Sequence, residues 1–131
     1  MIRTEFIIAI FAGLALALPY LLYARRTRHQ RRIYGAGLVV AAVVYVVLAG
    51  LRGTFQDFLT EMAGIVLFGA FAFLGVRKSA YFLALGWAAH VAWDLLLHSV
   101  AVSSYAPWWY PVTCIGFDLI VAGAILGGEN R

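Results

Sequence analysis

Charge is what this sequence is short of. Only 12% of its 131 residues are Asp, Glu, Lys or Arg, about half of what a soluble domain uses to cover its surface. That shortage excludes an ordinary water-soluble globule. Cysteine is nearly absent too: Cys114 stands alone, so no disulfide can form within the chain and no redox compartment can be read from it. Catalytic signatures are missing as well, with no nucleotide-binding loop, no H-E-x-x-H pair and no G-x-S-x-G elbow. Ser99, Ser103 and Ser104 lie near His98, but a serine–histidine dyad on neighbouring turns has nothing further to support it. No internal repeat or low-complexity linker marks a domain boundary.

What the chain has instead is apolar length. It is 64% hydrophobic with a mean hydropathy of +0.90, and spans of about 20 residues leave room for four or five membrane helices. Five apolar runs stand out, over residues 6–23, 33–51, 58–76, 80–102 and 110–126. The expected fold is all-α: one transmembrane domain over 1–131, a polytopic bundle of five spans. The first run is not a secretory signal despite its small-x-small Ala15-Leu16-Ala17, because Arg3 alone precedes it whereas five arginines follow it. Pro19 is tolerable near its end, Pro111 is placed to open the fifth helix, and Gly127-Gly128 to stop it.

Loop charge orients the stack. Arg25, Arg26, Arg28, Arg31 and Arg32, then Arg77 and Lys78, then Arg131 fall on one side, whereas Arg3 and Arg52 fall on the other. Lys and Arg are retained in the cytoplasm, so the expected topology is N-terminus out, C-terminus in, in a plasma or inner membrane. This placement also accounts for the net charge of +4 without a nucleic-acid partner. The arginine run could serve as a nucleic-acid or anionic-lipid patch, but it is read first as a topological anchor that touches lipid head groups, with His29 part of that solvated loop.

Ionisable residues inside the spans need a different explanation. His90, Asp94 and His98 recur at four-residue spacing, which stacks them along one stripe of a helix. Gly86 continues the row one turn earlier, where another backbone could approach. With the topology above, Glu61 and His98 lie about one turn below the outer surface, Asp94 and Asp118 about two, and His90 about three. Cys114 shares a row with Asp118 and is a candidate soft ligand. No Lys or Arg occurs within the three spans that carry these groups. Three uncompensated carboxylates at that depth would cost about 8–10 kcal/mol.

Protonated carboxylates, charged histidines or a bound cation would each relieve this cost. Two histidines and several carboxylates form a ligand set for Zn, Fe or Mn, and helix bundles build such sites from facing helices. His90 and His98 are about 12 Å apart along a straight helix, too far to share one ion. The candidate ligands are therefore His90, Asp94, His98 and Asp118, around one or two divalent ions. Glu61 and Asp94 are the catalytic candidates if a metal-bound water is used for hydrolysis. Two rival readings use the same residues, as a proton or cation relay in a small transporter or as polar contacts that lock helices in an accessory subunit. Trp87 and Trp93 are read as packing residues, with Trp93 pointing away from the histidine stripe. The segment Ser103-Ser104-Tyr105-Ala106-Pro107-Trp108-Trp109-Tyr110-Pro111 is read as an interfacial aromatic belt, or as a lid over the site. Gly123-x-x-x-Gly127 is a helix-contact motif through which copies could form a homo-oligomer within the lipid bilayer.

The run Gly86-Trp87-Ala88-Ala89-His90-Val91-Ala92-Trp93-Asp94-Leu95-Leu96-Leu97-His98 resembles one in a family of small multi-pass membrane proteins of unknown function. Pro107-Trp108-Trp109-Tyr110-Pro111, Gly116-Phe117-Asp118 and the Glu61 helix extend the resemblance over the second half of the chain. It implies architecture rather than activity. A fainter similarity is to ceramidase-like membrane hydrolases, which hold zinc with His and Asp inside a helix bundle. This chain has fewer helices than they do and lacks a clear third histidine.

Overall fold

A computed structural model describes residues 3–98, 107 and 109–129 and contains five helices: α1 (Arg3–Arg26), α2 (Gln30–Arg52), α3 (Phe55–Arg77), α4 (Ala80–Leu97) and α5 (Trp109–Glu129). All five are long and apolar enough to cross a membrane. The first three extend about a turn into their charged flanks, because long arginine side chains can leave the bilayer while the backbone stays hydrogen-bonded.

Local chemistry sets the turns. Thr54 and Asp57 form a reciprocal capping box at the start of α3: Asp57 N–H donates to Thr54 Oγ1 at 3.1 Å, and Thr54 N–H donates to Asp57 Oδ2 at 2.9 Å. Ser79 accepts from the Tyr81 N–H and opens α4. Helix α4 closes at Leu97, and His98 caps it with non-helical backbone angles; the rest of the expected span, 99–102, lies outside the described residues. Pro111 is the third residue of α5, still within the first turn where no intrahelical partner is needed. Gly127 and Gly128 lie inside α5, which continues to Glu129. Ser99, Ser103, Ser104, Tyr105, Trp108 and Arg131 lie outside the described residues.

Helix α1 packs mainly against α5, α2 against α3, and α4 fills the space between α3 and α5. The α1–α5 contact depends on two glycines. A Cβ at Gly13 would strike the Thr113 carbonyl oxygen and lie 2.9 Å from Phe117 N. One at Gly116 would strike the Ile10 carbonyl oxygen. At Gly86, by contrast, the space belongs to side chains, Leu38 from α2 and Phe71 from α3, and not to a neighbouring backbone. Gly123 and Gly127 face open space.

The core is a column of Ala17, Leu38, Phe68, Leu83, Trp87 and Val121. Outside it the usual polarity is inverted: Phe11, Leu16, Val66 and Leu96 are exposed, whereas Glu61, His90, Asp94, His98 and Asp118 are buried. Apolar outside and ionisable inside is the distribution that a hydrocarbon solvent selects.

Candidate metal centre and its paired acid

The four-residue spacing on α4 does what helical geometry requires. His90 and Asp94 point into the bundle and are 0% exposed, and α5 brings Asp118 against them at 1%. His90 Nδ1 lies 3.0 Å from Asp118 Oδ2 and 3.7 Å from Asp94 Oδ2. One ligand atom from each of the three residues lies within 4.8 Å of the other two.

These atoms fit a metal ion on two counts. Ligand atoms in a tetrahedral shell of about 2.1 Å radius stand about 3.4 Å apart, and the separations of 3.0 and 3.7 Å bracket that value. Asp94 Oδ2 is also buried without a hydrogen-bond partner, and an orphaned buried carboxylate oxygen calls for a proton, a water or a cation. The same atoms serve a proton equally well, since at 3.0 Å a single hydrogen bond joins His90 Nδ1 and Asp118 Oδ2.

Glu61 and His98 form a second group. His98 Nε2 lies 2.7 Å from Glu61 Oε2, and Trp93 Nε1–H donates to Glu61 Oε1 at 3.0 Å. Both Glu61 oxygens therefore have partners outside the triad. Trp93, expected to be a packing residue turned away from the site, holds the acid in place. His98 stands with Glu61, and the three residues that could hold a metal ion are grouped without it. Cys114 is half-buried and is not part of that group.

Tyr45 of α2 joins the two groups, and sequence reasoning missed it. Its hydroxyl donates to Asp94 Oδ1. Its ring stacks on His98 with centroids 3.9 Å apart and 4° between planes, and lies 5.7 Å from the His90 ring. Tyr110, in the segment read as a belt or lid, packs edge-on against Tyr45 at 5.4 Å, and Phe68 covers His90 at 4.9 Å. A signal for Tyr45 was available. It interrupts the run Val43-Val44-Tyr45-Val46-Val47 seven residues before Arg52, about the same depth as Asp94.

Residues 4–130 match the model of DUF6010, a family of unknown function. The chain belongs to that family. The match covers nearly the whole chain and agrees with the expected resemblance to uncharacterised multi-pass proteins. No curated protein and no solved structure matches the chain, so no similarity of this DUF6010 member to ceramidase-like hydrolases is found.

Proposed function

We propose that this chain is a multi-pass protein of a cell membrane, N-terminus out and C-terminus in, that binds one divalent metal ion at His90, Asp94 and Asp118. The observation that carries the reading is the convergence of three buried ligand atoms from α4 and α5 within 4.8 Å. Charge supports it. A metal-ligating imidazole, two carboxylates and a divalent cation sum to zero, and Glu61 beside them is hydrogen-bonded by His98 and Trp93. Burial of the triad then leaves no net ionic cost of the kind a lone intramembrane acid would carry. The imidazole and carboxylate donors suit Zn, Fe or Mn. A bound ion would activate water for hydrolysis, but Glu61, the expected general base, is engaged by His98 and Trp93. We therefore assign Glu61 to positioning His98 and leave hydrolysis out of the leading reading.

The second reading is a proton or cation relay. It is favoured by the linkage through Tyr45, which contacts both groups and connects α2, α3, α4 and α5 by hydrogen bonds and one stacked ring pair.

Elemental analysis of protein purified without added metal tests the assignment. About one ion per chain is expected, and Asp118→Asn should weaken binding by at least the about 10–100-fold seen on removing an outer-shell partner. An ion-free protein that keeps its fold would sink the metal reading. Loss of pH-driven flux in liposomes by an Asp94→Asn variant would then move the assignment to the relay.

A further inference from the structure

The opposite end of the bundle holds a cavity of about 880 Å³. It is formed where α1 and α3 end, α2 and α4 begin, and α5 approaches its last turn. Five arginines line it, Arg25, Arg28, Arg31, Arg32 and Arg77, while Val76, Ala80, Ala124 and Ile125 supply an apolar wall. Among the described residues no carboxylate lines it, and no described Arg or Lys is ion-paired to an Asp or Glu. Five of the six acidic residues are accounted for elsewhere. Glu5 and Asp57 sit in the first turns of α1 and α3, and Glu61, Asp94 and Asp118 are in the buried site. The sixth, Glu129, follows the rim residue Gly128, and its side chain lies outside the described residues.

Helix polarity sharpens the point. His29 stands at the N-cap of α2 without a side-chain capping bond, and the first turn of α2 contains no acid. Arg31 and Arg32 fall in that turn, where the free N–H groups already carry partial positive charge. Cations there oppose the dipole. An anion in the cavity would meet the uncapped N–H groups and the guanidiniums together.

We infer that this cavity is a defined binding site for the phosphate head group of an anionic phospholipid, whose glycerol and first acyl carbons lie along Val76, Ala124 and Ile125. The volume is that of a site for a whole head group, within the about 300–1,000 Å³ of small-ligand pockets. An apolar wall beside the arginines favours an amphiphile over a free phosphate. The inference is independent of what the His/Asp site binds, and requires only that the helices span a bilayer.

The test measures binding of a short-chain phosphatidylglycerol to the full chain in detergent, against phosphatidylcholine and against inorganic phosphate at equal concentration. Saturable binding of phosphatidylglycerol alone, at about one per chain, is expected. Replacing Arg28, Arg31, Arg32 and Arg77 together by Lys keeps the charge and the topology. It should weaken binding by about tenfold or more, the loss of a bidentate phosphate contact. Ala124→Trp fills the cavity while leaving every charge in place and should abolish saturable binding, whereas Arg52→Gln at the other end should leave it unchanged. Unaltered binding by Ala124→Trp, or linear uptake without saturation, would mean a diffuse basic surface and overturn the site. Equal affinity for phosphatidylcholine would overturn the requirement for an anion. Full competition by inorganic phosphate would overturn the lipid assignment. Size-exclusion elution matched to the parent protein certifies each variant as folded.

Discussion

At the scale of single residues, the site is organised by a tyrosine rather than by its histidines. Tyr45 supplies the hydroxyl that satisfies Asp94 Oδ1 and the ring that stacks on His98. Without the hydroxyl, neither carboxylate oxygen of Asp94 would have a hydrogen-bond donor, because Oδ2 already lacks a partner. Tyr45→Phe is therefore expected to lower stability by about 1–3 kcal/mol, the cost of an unsatisfied buried acceptor, while preserving the stack. Thermal unfolding in detergent measures it, and bound metal should raise the midpoint more in the variant than in the parent, because the ion would take over part of the lost contact. Spacing and shared depth marked Asp94, His90 and Asp118 together with His98 and Glu61, without separating the two groups. Tyr45 was overlooked despite its place at the depth of Asp94, because a tyrosine in a valine-rich span is read by default as an apolar residue.

At the scale of the helices, the nearest backbone met at any described glycine belongs to the α1–α5 contact. Gly13 and Gly116 place the backbones of α1 and α5 nearly against each other, the small-residue packing that helices use in lipid, where burying apolar surface gives little. Gly13→Val or Gly116→Val should therefore destabilise by at least the about 1–3 kcal/mol of an overpacked core, since backbone rather than a flexible side chain lies in the way. Gly123→Ala, facing open space, should be neutral or slightly stabilising, and paired melting curves of the variants distinguish the two classes. The glycine singled out from the sequence, Gly86, accommodates Leu38 and Phe71 instead. Spacing along one helix gives the row a glycine lies on; which neighbour enters that row depends on how the helices are arranged.

At the scale of the whole molecule, the two ends differ in kind. One gathers arginines around a cavity, and the other draws acids and imidazoles inward from α3, α4 and α5. In the proposed topology, which rests on the retention of Lys and Arg in the cytoplasm, the arginine end is internal. In a Cys114→Ala background, Gly53→Cys should react with a membrane-impermeant maleimide from outside intact cells, whereas Arg28→Cys should react only after permeabilisation. The reverse labelling pattern would invert the topology and turn the His/Asp site toward the cytoplasm.

The sequence by itself determined the class: five helices, their order, their approximate ends, and the burial of ionisable groups in the last three. These follow from hydropathy, turn chemistry and charge, which are properties of short stretches. Only the tertiary structure decided how the polar residues divide. His98 went to Glu61 and Trp93, whereas His90 went to Asp94 and Asp118, because the eight-residue separation on α4 puts the histidines against different neighbours. It also decided that Arg25, Arg28, Arg31, Arg32 and Arg77 share one concave space. Which groups meet across helices depends on their rotation and mutual arrangement, and no local pattern in one dimension carries that information.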